Sequence, residues 1–316
     1  MDTQDLGLQA GVETPLEAKR RREAPSGTPA FRRTLRRWMI EKGWRHVVAW
    51  GAILFALLPL LYILSVSLNP IGTLTGSNQI FQSVSLANYA KLFADPDMPF
   101  GRWYANSLFI ATVTSVATVL LCAMGAYAFS RMRFRGRRLG LVTLLVVQMF
   151  PQLLAITAIF LLMIEISDIF PAIGLGTHAG LIMIYLGGAL GVNTFLMYGF
   201  FNTVPSEIDE AAKIDGAGHA RVFFTIMLPL VTPILIVIGL LTFIGIIGEF
   251  AIASVILTDP NQQTVAIGLF QLVSEFQSQN WGVFAAGAVL AAIPVFVVFL
   301  FTQRYIAGGL VAGSVK

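Results

Sequence analysis

Charge is what this sequence has least of. Only 12% of its 316 residues are charged, 17 acidic and 21 basic, about half the roughly 25% of a soluble globular domain. A chain of this length with so little charge cannot cover itself with groups that water solvates, which excludes both an ordinary soluble enzyme and a disordered protein. One cysteine, Cys122, cannot close an internal disulfide, so a disulfide-built secreted scaffold is excluded as well. Three scattered histidines, His46, His178 and His219, argue against a multi-histidine metal centre. The motifs G-x-x-x-x-G-K-[ST], H-E-x-x-H, C-x-x-C and G-x-S-x-G are also missing, so no phosphate-cradling loop or familiar catalytic constellation is visible. The run Gly174-Leu-Gly176-Thr-His-Ala179 imitates a dinucleotide-binding turn, but it follows no strand and reads as chance.

Apolar residues are abundant, at 56%. A helix needs about 20 of them in succession to cross roughly 30 Å of hydrocarbon. Six runs qualify: Val47–Leu68, Ala105–Ser130, Leu139–Ile164, Ala179–Val204, Pro229–Leu257 and Trp281–Gln303. Only the fifth contains a charge, Glu249. Backbone groups in lipid must bond within their own segment, so runs of this length predict helices; the period-2 segments of a membrane barrel are absent. The first run has 46 residues before it and no A-x-A-like site after it, unlike a cleavable signal peptide. The expected fold class is all-α, a polytopic membrane protein with six transmembrane helices.

The basic residues are unevenly placed. Residues 1–46 hold ten Lys or Arg, the Arg131–Arg138 connection five, the connection between spans four and five Lys213 and Arg221, and the tail Arg304 and Lys316. That makes nineteen on one side against two, Lys91 and Arg102, on the other. The positive-inside rule then predicts that both termini are cytoplasmic and that residues 69–104, 165–178 and 258–280 lie outside. Residues 1–46 read as a basic arm without a packed core, expected to be disordered and attracted to anionic lipid; no aromatic platform or folded module suggests nucleic acid as a partner. Residues 47–104 read as the first span with its outer loop, 105–304 as the main membrane domain, and 305–316 as a cytoplasmic tail.

The cytoplasmic connection 205–229 carries the most information. Ser206 with Asp209 three residues on has the form of a capping box, after which Ile208, Ala211 and Ala212 share a helical face. Gly216, beside Asp215, can stop that helix. Ala220, Phe223, Phe224 and Met227 then mark one face of a second short helix, and Pro229 begins span five. Glu210-Ala211-Ala212, Gly216, Ile226 and Leu228-Pro229 are spaced as in the EAA motif, and the segment resembles the coupling loop of ABC-importer permeases of the binding-protein-dependent, type I family. Phe150-Pro151, Ile173–His178, Tyr185–Gly188 and Gln303-Arg304-Tyr305 are similar to the smaller permease subunit of maltose/maltodextrin importers, a likeness covering roughly residues 44–316.

That resemblance implies a type I importer permease fold, paired with a second, larger permease subunit that makes most of the sugar contacts. It implies two ATPase subunits, which would bind the ATP and Mg while this chain binds no cofactor, and an extracytoplasmic sugar-binding protein. The EAA loop would sit in a cleft of the ATPase, the C-terminal tail would reach the ATPase dimer, and loop 258–280 would touch the binding protein. Read from residues alone, that loop is a solvated one with an aromatic end. The cell membrane of a bacterium or archaeon is the implied location.

Within the spans, Glu249 is a functional candidate because it is the only ionisable residue there; it lines a translocation path or gate, or is hydrogen-bonded structurally. Pro151, Gly187, Gly188, Gly191 and Pro294 interrupt apolar runs, and Pro151, Gly187 and Gly188 join Glu249 as candidates for the path. An ATP-driven carbohydrate importer permease, non-catalytic itself, is the function expected. Maltodextrin is the first substrate and trehalose or another oligosaccharide the alternative. An ion-coupled transporter would favour more intramembrane charge, and a membrane sensor would need a signalling domain.

Overall fold

Wherever an apolar run is long enough the chain is helical, and no strand occurs among the described residues. The computed structural model describes residues 39–71, 80–96, 98–276 and 281–312; most of the basic arm expected to be disordered lies outside them. One π-helical turn at Met39–Gly43 leads into α1 (Trp44–Leu68), which runs unbroken through Pro59. Its large apolar side chains are exposed, Phe55 to 78%. Such a surface suits hydrocarbon or an apolar partner around it.

The chain divides at Leu60, within α1. In the second unit, α2 (Ala87–Ala94) is followed by α3 (Phe100–Arg131), α4 (Arg137–Gln148), α5 (Gln152–Ile169) and α6 (His178–Phe201). Two short helices come next, α7 (Ser206–Ile214) and α8 (His219–Leu230), the latter with a π-helical middle, Val222–Met227. The unit ends with α9 (Thr232–Ile247), α10 (Ala251–Ile256), α11 (Val265–Phe276) and α12 (Trp281–Ala312). Five described helices are long and apolar enough to cross a membrane, and α8 with α9, bent by 79°, makes a sixth.

The spine is α3. Its buried face runs Ser107, Ala111, Ser115, Thr118, Cys122, Ala126, Ser130, small residues every three or four positions that let neighbouring helices approach closely. It packs on α6 and α9, and at its start on α2 and α11. Three apolar cores line up along it. Cys122, Tyr127, Met197, Phe201, Phe223 and Met227 fill the core at the Arg131 end, Ile110, Met163, Leu181, Ile252 and Ile256 the middle, and Leu92, Phe100, Trp103, Leu269 and Val283 the far end.

Four expectations change. The third run is not one helix: α4 ends and α5 starts around Met149–Pro151, a break favoured by the missing N–H of Pro151, although Pro59 and Pro294 are accommodated inside their helices. The fifth run breaks too, at Gly248–Phe250, and its main part starts at Thr232 instead of Pro229. Pro294 and glycines 187, 188 and 191 do not interrupt their helices, which continue through them. Loop 258–280 is not simply solvated. Residues 260–263 are stitched to the start of α3 through Arg102–Asn261, Trp103–Pro260 and Asn106–Gln263 hydrogen bonds. α11 then buries Val265, Ile267, Leu269 and Leu272 and leaves Phe270 exposed. At the other terminus, α12 extends through 305–312 of the expected tail.

The dinucleotide-like run has a structural use. Gly176 adopts φ +79°, a value that glycine reaches without steric cost. The Thr177 hydroxyl accepts from Gly180 N–H at 3.0 Å and caps α6.

Candidate functional site

Two places gather the candidate residues, the 205–229 connection and a cavity between broken helices. In the connection, α7 begins directly after Pro205, and no side chain caps it. The Ser206–Asp209 capping box does not form. Asp209 is buried instead, its Oδ2 2.8 Å from Arg131 Nε as an ion pair whose atoms are not aligned for a hydrogen bond. This pairing sets the helical phase: Asp209 and Ala212 face inward, Ile208 is half-buried, and Glu210 and Ala211 face out. Ala211 therefore leaves the face on which the sequence placed it.

α7 ends in a Schellman turn. Ala217 N–H donates to Ala212 O at 2.9 Å and Gly216 N–H to Lys213 O at 3.0 Å, with Gly216 at φ +79°. This is the stop-and-turn expected of Gly216. In α8 the buried residues are Val222, Phe223 and Met227, packed with Tyr127 and Phe201. Ala220 and Phe224 are exposed, and Val222 with half-buried Ile226 joins Phe223 and Met227 on the inward face in their place. Ile226 and Leu228 are half-buried and Pro229 is exposed before the bend into α9. The result is a surface made of Glu210, Ala211, Asp215, Gly216, Ala220 and Phe224, with Ile214 87% exposed among them. Small residues flanked by two acids and two large apolar groups suit contact with another protein.

The second place is a cavity of about 880 Å³ lined by α4, α5, α6 and α9. Its walls are apolar apart from Gln148, Gln152, Tyr185, Asn193, Thr242 and Glu249. Both helix breaks open onto it. Gly187 lines it with open space where a Cβ would stand, whereas a Cβ at Gly188 would collide with the Gln152 amide. Gln148 Nε2 donates to the Gly188 carbonyl at 2.6 Å. Pro151 lines an adjoining cavity of about 450 Å³, which Glu249 and Gln152 also border. The structure thus brings Glu249, Gly187, Gly188 and Pro151 into one region.

Glu249 is hydrogen-bonded structurally and also borders the cavity. Its Oε1 accepts from Ile252 N–H at 2.8 Å, and Oε2 accepts from Ala253 N–H at 3.0 Å and from the Tyr185 hydroxyl at 2.5 Å. It is the side-chain cap of α10, answering N–H groups that the break would leave bare in lipid, and it lines the cavity. Arg131, Gln148, Gln152, Tyr185 and Asn193 escaped the sequence reading. In the sequence Arg131 is one of five arginines in a basic connection and signals only topology. An amide or phenol inside an apolar run was the available signal for the others, since such groups need a buried partner.

Comparison with known proteins gives concordant findings. Residues 120–310 match the family described as "Binding-protein-dependent transport system inner membrane component". A maltose/maltodextrin transport system permease protein of Vibrio vulnificus is 38% identical over 281 residues, 86% of this chain and 94% of its own length. A galactooligosaccharides transport system permease protein of Bacillus subtilis is 39% identical over 259 residues, 82% of this chain and 89% of its own. Among solved structures, a chain of a bacterial ABC transporter involved in the import of the acidic polysaccharide alginate superposes with a TM-score of 0.69 at 26% identity. That match covers 85% of this chain and 98% of the other.

Proposed function

This chain belongs to the family of binding-protein-dependent transport system inner membrane components, and on that premise we propose that it is one of two membrane halves of an ATP-driven importer for an uncharged oligosaccharide, maltodextrin first. The observation that carries the reading is the exposed Glu210-Ala211 step ahead of the Gly216 turn, in EAA spacing with Ile226 and Leu228-Pro229. Separate ATPase subunits hold ATP and Mg and hydrolyse the nucleotide; this chain offers them Glu210, Ala211, Asp215 and Gly216, with Ala212, Ile226, Leu228 and Pro229 shaping the loop from beneath. Closure of the ATPases pushes the loop, and the paired permeases alternate between outward- and inward-facing cavities. A binding protein delivers the sugar on the outer side.

The nineteen-to-two distribution of basic residues supports an orientation with the loop and both termini in the cytoplasm. The chemistry of the cavity supports a neutral cargo. Amide, phenol and hydroxyl groups line it without a cation, and its one carboxylate is already bonded to three donors. An anionic sugar would meet Glu249 with no positive charge to offset it. The relatives that carry maltodextrins and galactooligosaccharides favour an α- or β-linked neutral glycan; trehalose is the alternative. Ion coupling is disfavoured because Glu249 is the one charged side chain lining the cavity, where an ion-coupled transporter would gather more intramembrane charge.

The test is uptake into liposomes. The chain assembled with a second permease subunit, ATPase subunits and binding protein should accumulate maltodextrin on ATP, and the chain alone should accumulate nothing. Gly216→Asp should leave permease levels normal, because a Cβ there meets nothing within 4 Å and the left-handed backbone costs only about 1–2 kcal/mol. It should depress coupled hydrolysis and uptake by placing bulk and charge against the ATPase. Uptake by the chain alone, or wild-type rates in Gly216→Asp, would overturn this mechanism.

A further inference from the structure

The end of α3 and the coupling loop are joined by a buried polar clamp. Arg131, the last residue of α3, has its Nε 2.8 Å from Asp209 Oδ2 on α7, and its NH2 group donates to the Val204 carbonyl at 2.5 Å. The two charged side chains are 11% and 5% exposed. Next to them, Ser130 Oγ donates to Asn202 Oδ1 at 2.8 Å, and the Tyr127 hydroxyl lies 3.5 Å from His219 Nδ1 on α8. Of the five arginines between 131 and 138, Arg133, Arg135 and Arg138 stay exposed as topological charge would. Arg131 alone is drawn inward to an acid.

A buried ion pair adds little net stability over apolar side chains of the same volume, and its best-attested use is to enforce one arrangement. The arrangement enforced here bypasses two soft joints. Going along the chain, a push on α7 must pass the π-helical middle of α8 and then the 79° bend before it reaches α9, both places where a helix yields. Through Arg131 it reaches α3 directly, and α3 contributes to all three apolar cores.

We propose that Arg131 and Asp209 are positioning residues that clamp α7 to α3, so that the two move as one body and force delivered to the loop enters the membrane domain along α3. The inference rests on the loop being the element that ATPase subunits drive. It predicts no relative motion at this contact during the cycle, and loss of coupling when the contact is removed.

A reversible cross-link tests both. Arg131→Cys with Asp209→Cys, in a Cys122→Ser background, is assembled with the second permease, ATPase subunits and binding protein in liposomes, and uptake per ATP hydrolysed is measured. Without a cross-link, hydrolysis should continue while uptake per ATP falls about 5-fold or more, the lower range of coupling between distant sites. A short bis-methanethiosulfonate bridge should restore the ratio, and a reductant should abolish it again; a merely structural contact would not respond in this way. A wild-type ratio before cross-linking, or a bridge that halts uptake, overturns the proposal. Should the paired cysteines prevent assembly, Arg131→Lys keeps the charge but loses the planar fork; a fall of about twofold supports the clamp, and an unchanged ratio overturns it. The wild-type complex must itself show ATP-driven uptake, since its failure removes the transport reading and the clamp together.

Discussion

The Glu249 carboxylate is shared between a helix end and a phenol, and the two uses separate under substitution. Glu249→Ala removes the cap of α10 and leaves the Tyr185 hydroxyl without its acceptor, a combined loss of about 2–4 kcal/mol from a cap and an unsatisfied buried donor. Glu249→Gln keeps one acceptor oxygen and should cost about 1 kcal/mol, as should Tyr185→Phe, which removes one hydrogen bond. Thermal unfolding of the purified protein should show Glu249→Ala as the most destabilised and the other two as similar to each other. A structural cap acts on unfolding, whereas a sugar ligand acts on the concentration of sugar that half-saturates uptake. If Glu249→Ala unfolds at the wild-type temperature yet raises that concentration, the capping role is the wrong one. The sequence marked Glu249 as the single charge in a span, but its partner Tyr185 lies 64 residues earlier in the chain, and spacing alone cannot pair residues so distant.

At the level of elements, α11 is where local composition misled. Asn261, Gln262 and Gln263 raise the average polarity of the stretch and hide the apolar Val265, Ile267, Leu269 and Leu272, which α11 buries. Close contact there is steric. A Cβ on Gly268 would run into the Trp103 ring, and Trp103 is held by its Nε1–H donating to the Pro260 carbonyl at 2.8 Å. Gly268→Ala should therefore destabilise by about 1–3 kcal/mol through overpacking. Gly199→Ala, inside α6 with nothing within 4 Å of its Cβ, should be neutral or stabilising by up to about 1 kcal/mol. Thermal unfolding of the two variants side by side checks the pair, and equal midpoints would refute the steric account. Helix breaks were only partly legible. Pro151 marks one, but Pro59 and Pro294 lie inside unbroken helices, so a missing N–H alone does not decide; Gly248-Glu249 carries no such mark, and bonding to Tyr185 and the capping of α10 accompany that break.

At the scale of the molecule, the apolar runs were enough to foresee an all-helical membrane bundle, because run length against bilayer thickness is a strong constraint. They reach six crossings only when α8 and α9 count as one bent span. Orientation follows from where the arginines lie, and labelling can check it. In a Cys122→Ser background, Gln82→Cys and Thr258→Cys, both exposed, should react with an impermeant thiol reagent from outside intact cells. Lys213→Cys, exposed on α7, should react only after permeabilisation. Reaction of position 213 from outside would place the EAA loop beyond the reach of any cytoplasmic ATPase.

The placement of α3 at the centre of three cores also puts the nascent protein on a clock. α3 is complete at Arg131, but α6 ends at Phe201 and α12 starts only at Trp281. At ~5–20 residues per second, α3 waits ~4–14 s for α6 to be made and ~8–30 s for α12 to begin. For that interval the face of α3 that carries Thr114 and Thr118, fully buried in the finished protein, has not yet been covered by α6 and α9. The half-made bundle is thus most open to wrong pairings and to proteolysis before α12 emerges, and a substitution that slows the docking of α12 extends that exposure for every helix already inserted.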